Sequence, residues 1–233
     1  MGDRRWEEMP SDCLVDIFGR LDSQSKLLHI PAVCKTWNQA VDNPLCWQQL
    51  DFNDFILCAC PNQLMETVVN LSQGCVTSLT LELPGYSGFL SSDDCPSFEG
   101  KWKNLEFISL KNSFNIEYLI KHISIYLPSF NGLSIGGGEV DGDTASMIVS
   151  LIPKLKHLTI NNAFLQKKDL LLILKGCSEL LFLDVRNCDG FGEDDEEILK
   201  LASAIKTFRC DGSKTYDLAD DYDWYPCNDL DLE

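Results

Sequence analysis

The chain has 233 residues, 45% of them hydrophobic, enough apolar material for a sizeable core. Its formal net charge of −17 excludes a cationic surface able to displace counterions from nucleic acid or to settle on anionic lipid, so neither is an expected partner. The first eight residues hold no apolar stretch suited to a signal peptide and no run of about 18 apolar residues occurs, so the eleven cysteines are expected to be reduced thiols in nucleus or cytoplasm.

After an N-terminal extension over 1–8, Met9-Pro10-Ser11-Asp12 is a helix start, and Leu14, Ile17, Phe18 and Leu21 follow at helical spacing. A second apolar group, Leu27, Leu28 and Ile30, stops at Pro31, which suits the first turn of a further helix. That helix is expected to present Val33, Cys34, Trp37 and Ala40 along one side and to end at Asn43-Pro44. Three short helices form a very small core, so some of their apolar residues must meet a partner or the rest of the chain.

The order of these residues resembles the F-box. Met9-Pro10 stands where that family has Leu-Pro, Ile17-Phe18 with Leu21 matches its first helix, Val33-Cys34-Lys35 with Trp37 its most recognisable segment, and Leu45-Cys46-Trp47 its closing Leu-Trp. The resemblance implies an all-α module over 9–50 that docks on a Skp1-like protein and through it on a cullin. On that analogy Met9, Pro10, Leu14, Ile17, Ile30, Pro31, Val33, Cys34, Lys35, Leu45 and Trp47 are the Skp1-binding candidates. Phe18, Leu21 and Trp37 are candidates for the module's own interior, and the sequence does not divide the two groups.

From residue 105 the pattern apolar-x-x-apolar-x-apolar returns every 25 residues, at Leu105, Phe130, Leu155, Leu180 and Ile205. Its fourth position reads Ile108, Leu133, Leu158, Leu183 and Phe208, and its sixth Leu110, Ile135, Ile160, Val185 and Cys210. Weaker copies at Val76 (with Leu79 and Leu81) and Trp47 (with Leu50 and Phe52) bring the candidate strands to seven. Positions four and six share one face of a strand. Helical stripes follow the strands: Leu119, Ile120 and Ile123; Met147, Ile148, Leu151 and Ile152; Leu170, Leu171, Ile173 and Leu174; Ile198, Leu199 and Leu201. One strand-helix unit cannot bury its own core, so the units must stack, strands forming a parallel concave sheet.

This pattern resembles the leucine-rich repeat, and Cys177 to Cys188 its cysteine-containing subclass, in which position nine caps the turn after the strand; that position holds Ser113, Gly138, Ala163 and Ser213 in the other copies. The fold class is therefore an α/β solenoid, a short leucine-rich-repeat horseshoe over 51–210 behind a three-helix F-box. The whole resembles small plant F-box/leucine-rich-repeat proteins, which implies a substrate-recognition subunit of a Skp1-cullin-F-box ubiquitin ligase, non-catalytic itself, with a protein substrate on the repeats. A scaffold not recruited to a ligase is the alternative, and a small-ligand receptor ranks last.

Strand positions three, five and seven are expected on the concave face, where aromatic and arginine side chains suit a binding hot spot. Phe107, His157, Phe182, Arg186 and Arg209 are the substrate-binding candidates, with ordinary solvated positions the competing reading. Gly85 to Gly100 interrupts the repeats as a loop, and Gly136-Gly137-Gly138 reads as a turn. Glu193 to Glu197 opens a helix, its carboxylates opposing the helix dipole rather than binding a cation. The tail, 211–233, carries eight acids against Lys214 and is expected to be disordered.

No phosphate-binding loop, zinc-protease helix or nucleophile elbow occurs. Cys58-Ala59-Cys60 is a close thiol pair, but His29, His122 and His157 lie far from it in sequence, so neither a metal nor a cofactor is expected.

Overall fold

A computed structural model of the protein describes residues 6–51, 61–81, 100, 102–111 and 116–215, with backbone alone for residues 7 and 61–66. Phe52, Cys58-Ala59-Cys60, Ser113, nearly all of the 85–100 loop and the tail beyond Thr215 lie outside the described residues.

The helical module opens with α1 (Ser11–Gly19), whose start Pro10 supplies without a side-chain cap. A π-helical turn, Ser25–His29, leads into α2 (Ile30–Val33), where Pro31 occupies the first turn. The sequence anticipates one helix from Pro31 to Asn43, but Cys34 is fully extended and α3 (Lys35–Val41) starts anew after it. A 3-10 turn, Pro44–Trp47, closes the module, with Asn43 accepting from the Leu45 N–H.

Seven parallel strands follow: β1 (Gln49–Asp51), β2 (Ser78–Leu81), β3 (Phe107–Leu110), β4 (Gly132–Gly136), β6 (His157–Asn161), β8 (Phe182–Asp184) and β9 (Thr207–Arg209), ordered in the sheet as in the chain. Two shorter strands, β5 (Glu139–Val140) and β7 (Phe164–Leu165), lie outside this sheet. The register runs Leu50, Leu79, Ile108, Leu133, Leu158, Leu183, Phe208 across the seven. The predicted fourth column is thus one row of neighbouring side chains, and its first six members are buried. Phe208 at the open end is only partly covered.

Helices pack behind the sheet: α5 (Ile116–Tyr126) after β3, α6 (Gly142–Leu151) after β5, α7 (Lys167–Gly176) after β7 and α8 (Glu196–Ala202) after β8. They bury Leu119, Ile120 and Ile123; Ala145 and Ile148; Leu170 and Ile173; and Ile198. Leu151 and Leu199, expected in these stripes, fall beside the buried line and face solvent. The helix α4 (Pro61–Ser72), between β1 and β2, is not anticipated by the sequence pattern; it buries Val68 and Val69. Asp195 caps α8, accepting from the N–H groups of Glu197 and Ile198, as the acidic run suggests.

A feature that the apolar columns do not reveal sets the turns. Position eight of the last four repeats, one to three residues past the strand, is Gly137, Asn162, Asn187 and Gly212, and all four are left-handed, with φ of 75°, 52°, 54° and 75°. Glycine and asparagine occupy this backbone conformation most readily. The chain then runs into an outer ladder, where β5 pairs with β7, and Phe164, Asp189 and Lys214 continue it by single parallel bridges.

Position nine caps the last two of these turns through its side chain. The Cys188 thiol donates to the Ile160 carbonyl at 3.1 Å. Ser213 donates to the Val185 carbonyl at 2.7 Å and accepts from the Cys188 N–H at 3.0 Å. Residues 211–215, assigned to the tail from sequence, therefore complete the last repeat turn. Burial pushes the Cys188 thiol up to about 11, so it remains a protonated donor at neutral pH.

The left-handed column gives a contrast. Asn162→Val should destabilise the protein by about 1–2 kcal/mol, whereas Asn162→Gly should cost a few tenths at most. Urea unfolding midpoints decide, and equal midpoints for both variants would show that backbone handedness does not set this turn.

Candidate functional site

The joint between module and repeats is built around Lys26, which is 0% exposed. Its ammonium donates to the Cys46 carbonyl at 2.9 Å and to the Gln49 carbonyl at 3.2 Å, and stands 5.2 Å from the centroid of the Trp47 ring. Burial lowers its pKa, opposed by the Cys46 thiol and by Asp22 and Asp51. Buried Ser23 accepts from the Asp51 N–H at 3.1 Å. The helical turn Ser25–His29 is thereby fastened to β1 through backbone carbonyls on both sides of Trp47. The indole N–H of Trp47 in turn donates to the Val41 carbonyl at 2.8 Å.

This joint accounts for the division of the candidate residues. Leu14, Ile30 and Trp47, placed by resemblance among partner-binding residues, are buried within the chain. They fill the module's interior with Phe18, Val41 and Cys46, because so small a core must use its largest apolar side chains. Phe18, an interior candidate, is buried and meets Trp37 edge to face at 5.2 Å. Trp37 is half-buried, and its N–H donates to the Trp6 carbonyl at 3.4 Å. Leu21, the third interior candidate, faces solvent.

What remains outside is apolar. Ile17, Leu21, Leu28, Val33 and Leu45 are exposed, Val33 to 57% and Leu45 to 52%. Pro10 and Lys35 are exposed beside them in the chain, and Met9, Pro31 and Cys34 are half-buried. Five large aliphatic side chains are thus exposed within 29 residues, 17 to 45.

On the concave face, four of the five substrate candidates gather at the C-terminal end of the sheet. Asp184 on β8 is buried, and Arg186 grips it with three side-chain bonds, Nε to Oδ1 at 2.9 Å and to Oδ2 at 3.1 Å, and Nη2 to Oδ2 at 2.8 Å. Hydrogen bonding to Asp184 raises the Arg186 guanidinium above its usual range. Arg209 on β9 brings Nη1 to 4.0 Å of the same carboxylate, and its guanidinium lies 5.6 Å from the Phe182 ring centroid. His157 tilts against that ring at 6.2 Å. Asp184, expected from sequence to be exposed, is instead the buried anchor of two half-exposed arginines. Phe107 stands apart from them on β3 with its ring laid across Gly132, leaving no room there for a Cβ.

Among the described residues no group of three or more His, Cys, Asp or Glu side chains could hold a metal ion, and no helix is long and apolar enough to cross a membrane.

Residues 6–53 match the F-box-like domain family. The chain is 27% identical to F-box protein FBW2 of Arabidopsis thaliana, over 79% of this chain and 68% of that protein. An F-box/LRR-repeat protein of the same plant is 28% identical over 94% of this chain and 80% of its own length. F-box protein SKIP19 of that plant is 24% identical over 97% of this chain and 85% of its own.

Lys26 has a measurable signature. Lys26→Met keeps the aliphatic stem but leaves the Cys46 and Gln49 carbonyls without this donor, a loss of roughly 1–3 kcal/mol per buried group. Chemical denaturation should show a loss in that range with Trp47 fluorescence altered in the folded state; unchanged stability would refute the joint.

Proposed function

We infer, for a chain that is an F-box/leucine-rich-repeat protein of the plant type, that it is the substrate-recognition subunit of a Skp1-cullin-F-box ubiquitin ligase. The helical module docks on a Skp1-like protein, and through it on a cullin. The repeats hold a protein to be ubiquitinated. The chain acts as a non-catalytic adaptor, with transfer chemistry belonging to its partners, and it works in the nucleus or cytoplasm.

The single observation that carries this reading is the exposure of the module's aliphatic side chains Ile17, Leu21, Leu28, Val33 and Leu45 on a domain of F-box type. Apolar anchors that a partner desolvates dominate interface energy, and a charge placed among them is left buried and unpaired. The concave cluster of His157, Phe182, Arg186 and Arg209 supplies aromatic and guanidinium groups suited to a protein substrate.

Val33→Asp and Leu45→Asp, at positions exposed in the free chain, should leave folding intact while weakening capture by a purified Skp1-like protein about 30-fold or more, as hot-spot losses of about 2 kcal/mol or more require. Thr36→Asp, at an exposed polar position on α3, controls for added charge alone and should leave capture nearly unchanged. Capture that withstands both apolar-to-acid changes would favour a scaffold outside the ligase.

A further inference from the structure

The concave arginines have a partner candidate in the same polypeptide. Beyond residue 20 the chain contains two arginines, Arg186 and Arg209, and both stand around the one buried carboxylate of Asp184. That carboxylate divides its charge between them. Asp211 also acts on Arg186, from the exit of the last strand. Each guanidinium keeps about half of its side chain open to solvent, and Phe182 and His157 form an aromatic floor beside them. Such a platform fits carboxylates carried next to aromatic rings, by charge-assisted hydrogen bonds and by stacking on guanidinium planes.

Residues 216–233 have that composition. They include Asp217, Asp220, Asp221, Asp223, Asp229, Asp231 and Glu233, no basic residue, and the rings of Tyr216, Tyr222, Trp224 and Tyr225. The described chain ends one residue beyond Lys214, which is bridged to Asp189 on the outer ladder that follows the strands carrying the arginines. Eighteen residues reach roughly 60 Å when extended, against a spacing of about 5 Å between neighbouring strands. A tether this short also holds its segment at roughly millimolar effective concentration.

We propose that the acidic-aromatic segment 216–233 docks in cis on the Arg186, Arg209 and Phe182 platform and competes there with the external substrate. The competition rests on the concave face being the substrate surface, as in the proposed function; the docking itself does not. An external substrate then displaces the segment by presenting similar chemistry more strongly, and modification or neutralisation of the acids opens the site.

The test uses full-length protein and a fluorescent synthetic peptide of residues 216–233. In one variant Asp217, Asp220, Asp221 and Asp223 become Asn and Trp224 becomes Ala. The peptide should bind this variant about tenfold or more tighter than it binds the unaltered chain, whose own segment competes. That binding should weaken with added salt and be lost when Arg209→Gln is added. Arg209 is chosen because Arg186 alone keeps Asp184 paired. Equal peptide binding by variant and unaltered chain, or binding that survives Arg209→Gln, overturns the proposal. So does a lowered melting temperature of the tail variant with no peptide binding, since the segment would then be covering the partly open core end at Ile205, Phe208 and Cys210. Capture by a Skp1-like protein on the same samples reads the ligase function separately and should not move with these changes.

Discussion

The structure depends on a lysine with no access to solvent. Lys26 lies inside the junction of two folding patterns that share no periodicity, one set by helix packing and one by a stacked strand. Its ammonium is held by carbonyls of Cys46 and Gln49, which flank Trp47 in the chain. An apolar side chain there would cover the same area but leave backbone acceptors unmet, and an acid would oppose them. A cation on a long flexible stem satisfies both carbonyls while its methylenes pack in the core. The consequence is mechanical: the helical module cannot pivot about residue 48 without breaking these bonds, so the orientation of its aliphatic face is fixed to the first strand.

From that strand onward, the repeats propagate the geometry one unit at a time. Each unit adds one member to the buried row that begins at Leu50, and the last four add a left-handed turn that returns the chain to the outer side. The caps on those turns differ in chemistry, a thiol at Cys188 and a hydroxyl at Ser213, while Gly138 and Ala163 bring no side-chain donor to the same position. What the four turns share is the left-handed residue at position eight, so position nine can vary while the turns stay regular.

The legible and illegible parts of the sequence separate by physics. Apolar columns are readable because a strand in a parallel stack must repeat its buried side chains at the repeat length, and the sheet reproduces all seven strands. The left-handed column is readable too once position eight is aligned: Gly137, Asn162, Asn187 and Gly212 are the residue types that this backbone admits. Lys26 is not, since lysine is ordinarily exposed and nothing local marks its burial. The helical module shows the limit of resemblance most clearly. Residue order identifies the module, but whether Leu14 points inward and Ile17 outward depends on how its short helices cross, and both residues sit on α1 at compatible spacing. Asp184 departs from expectation for a related reason: strand alternation places it on the concave face, and it is there, but two arginines close over it.

The positions of the two surfaces follow from these constraints. The aliphatic face is tied to β1, and the arginine platform spans β8 and β9, five and six strands away in the sheet order. With neighbouring strands about 5 Å apart, the two lie on the order of 25–30 Å from one another along the curve of the sheet. The intervening concave positions are mixed, with Gly132, Ser134 and Thr159 small and Phe107 and Lys111 large. The two clusters are therefore separated by a distance that the repeat count sets. Adding or removing one repeat would change that distance by one strand spacing and rotate the platform with the sheet's curvature.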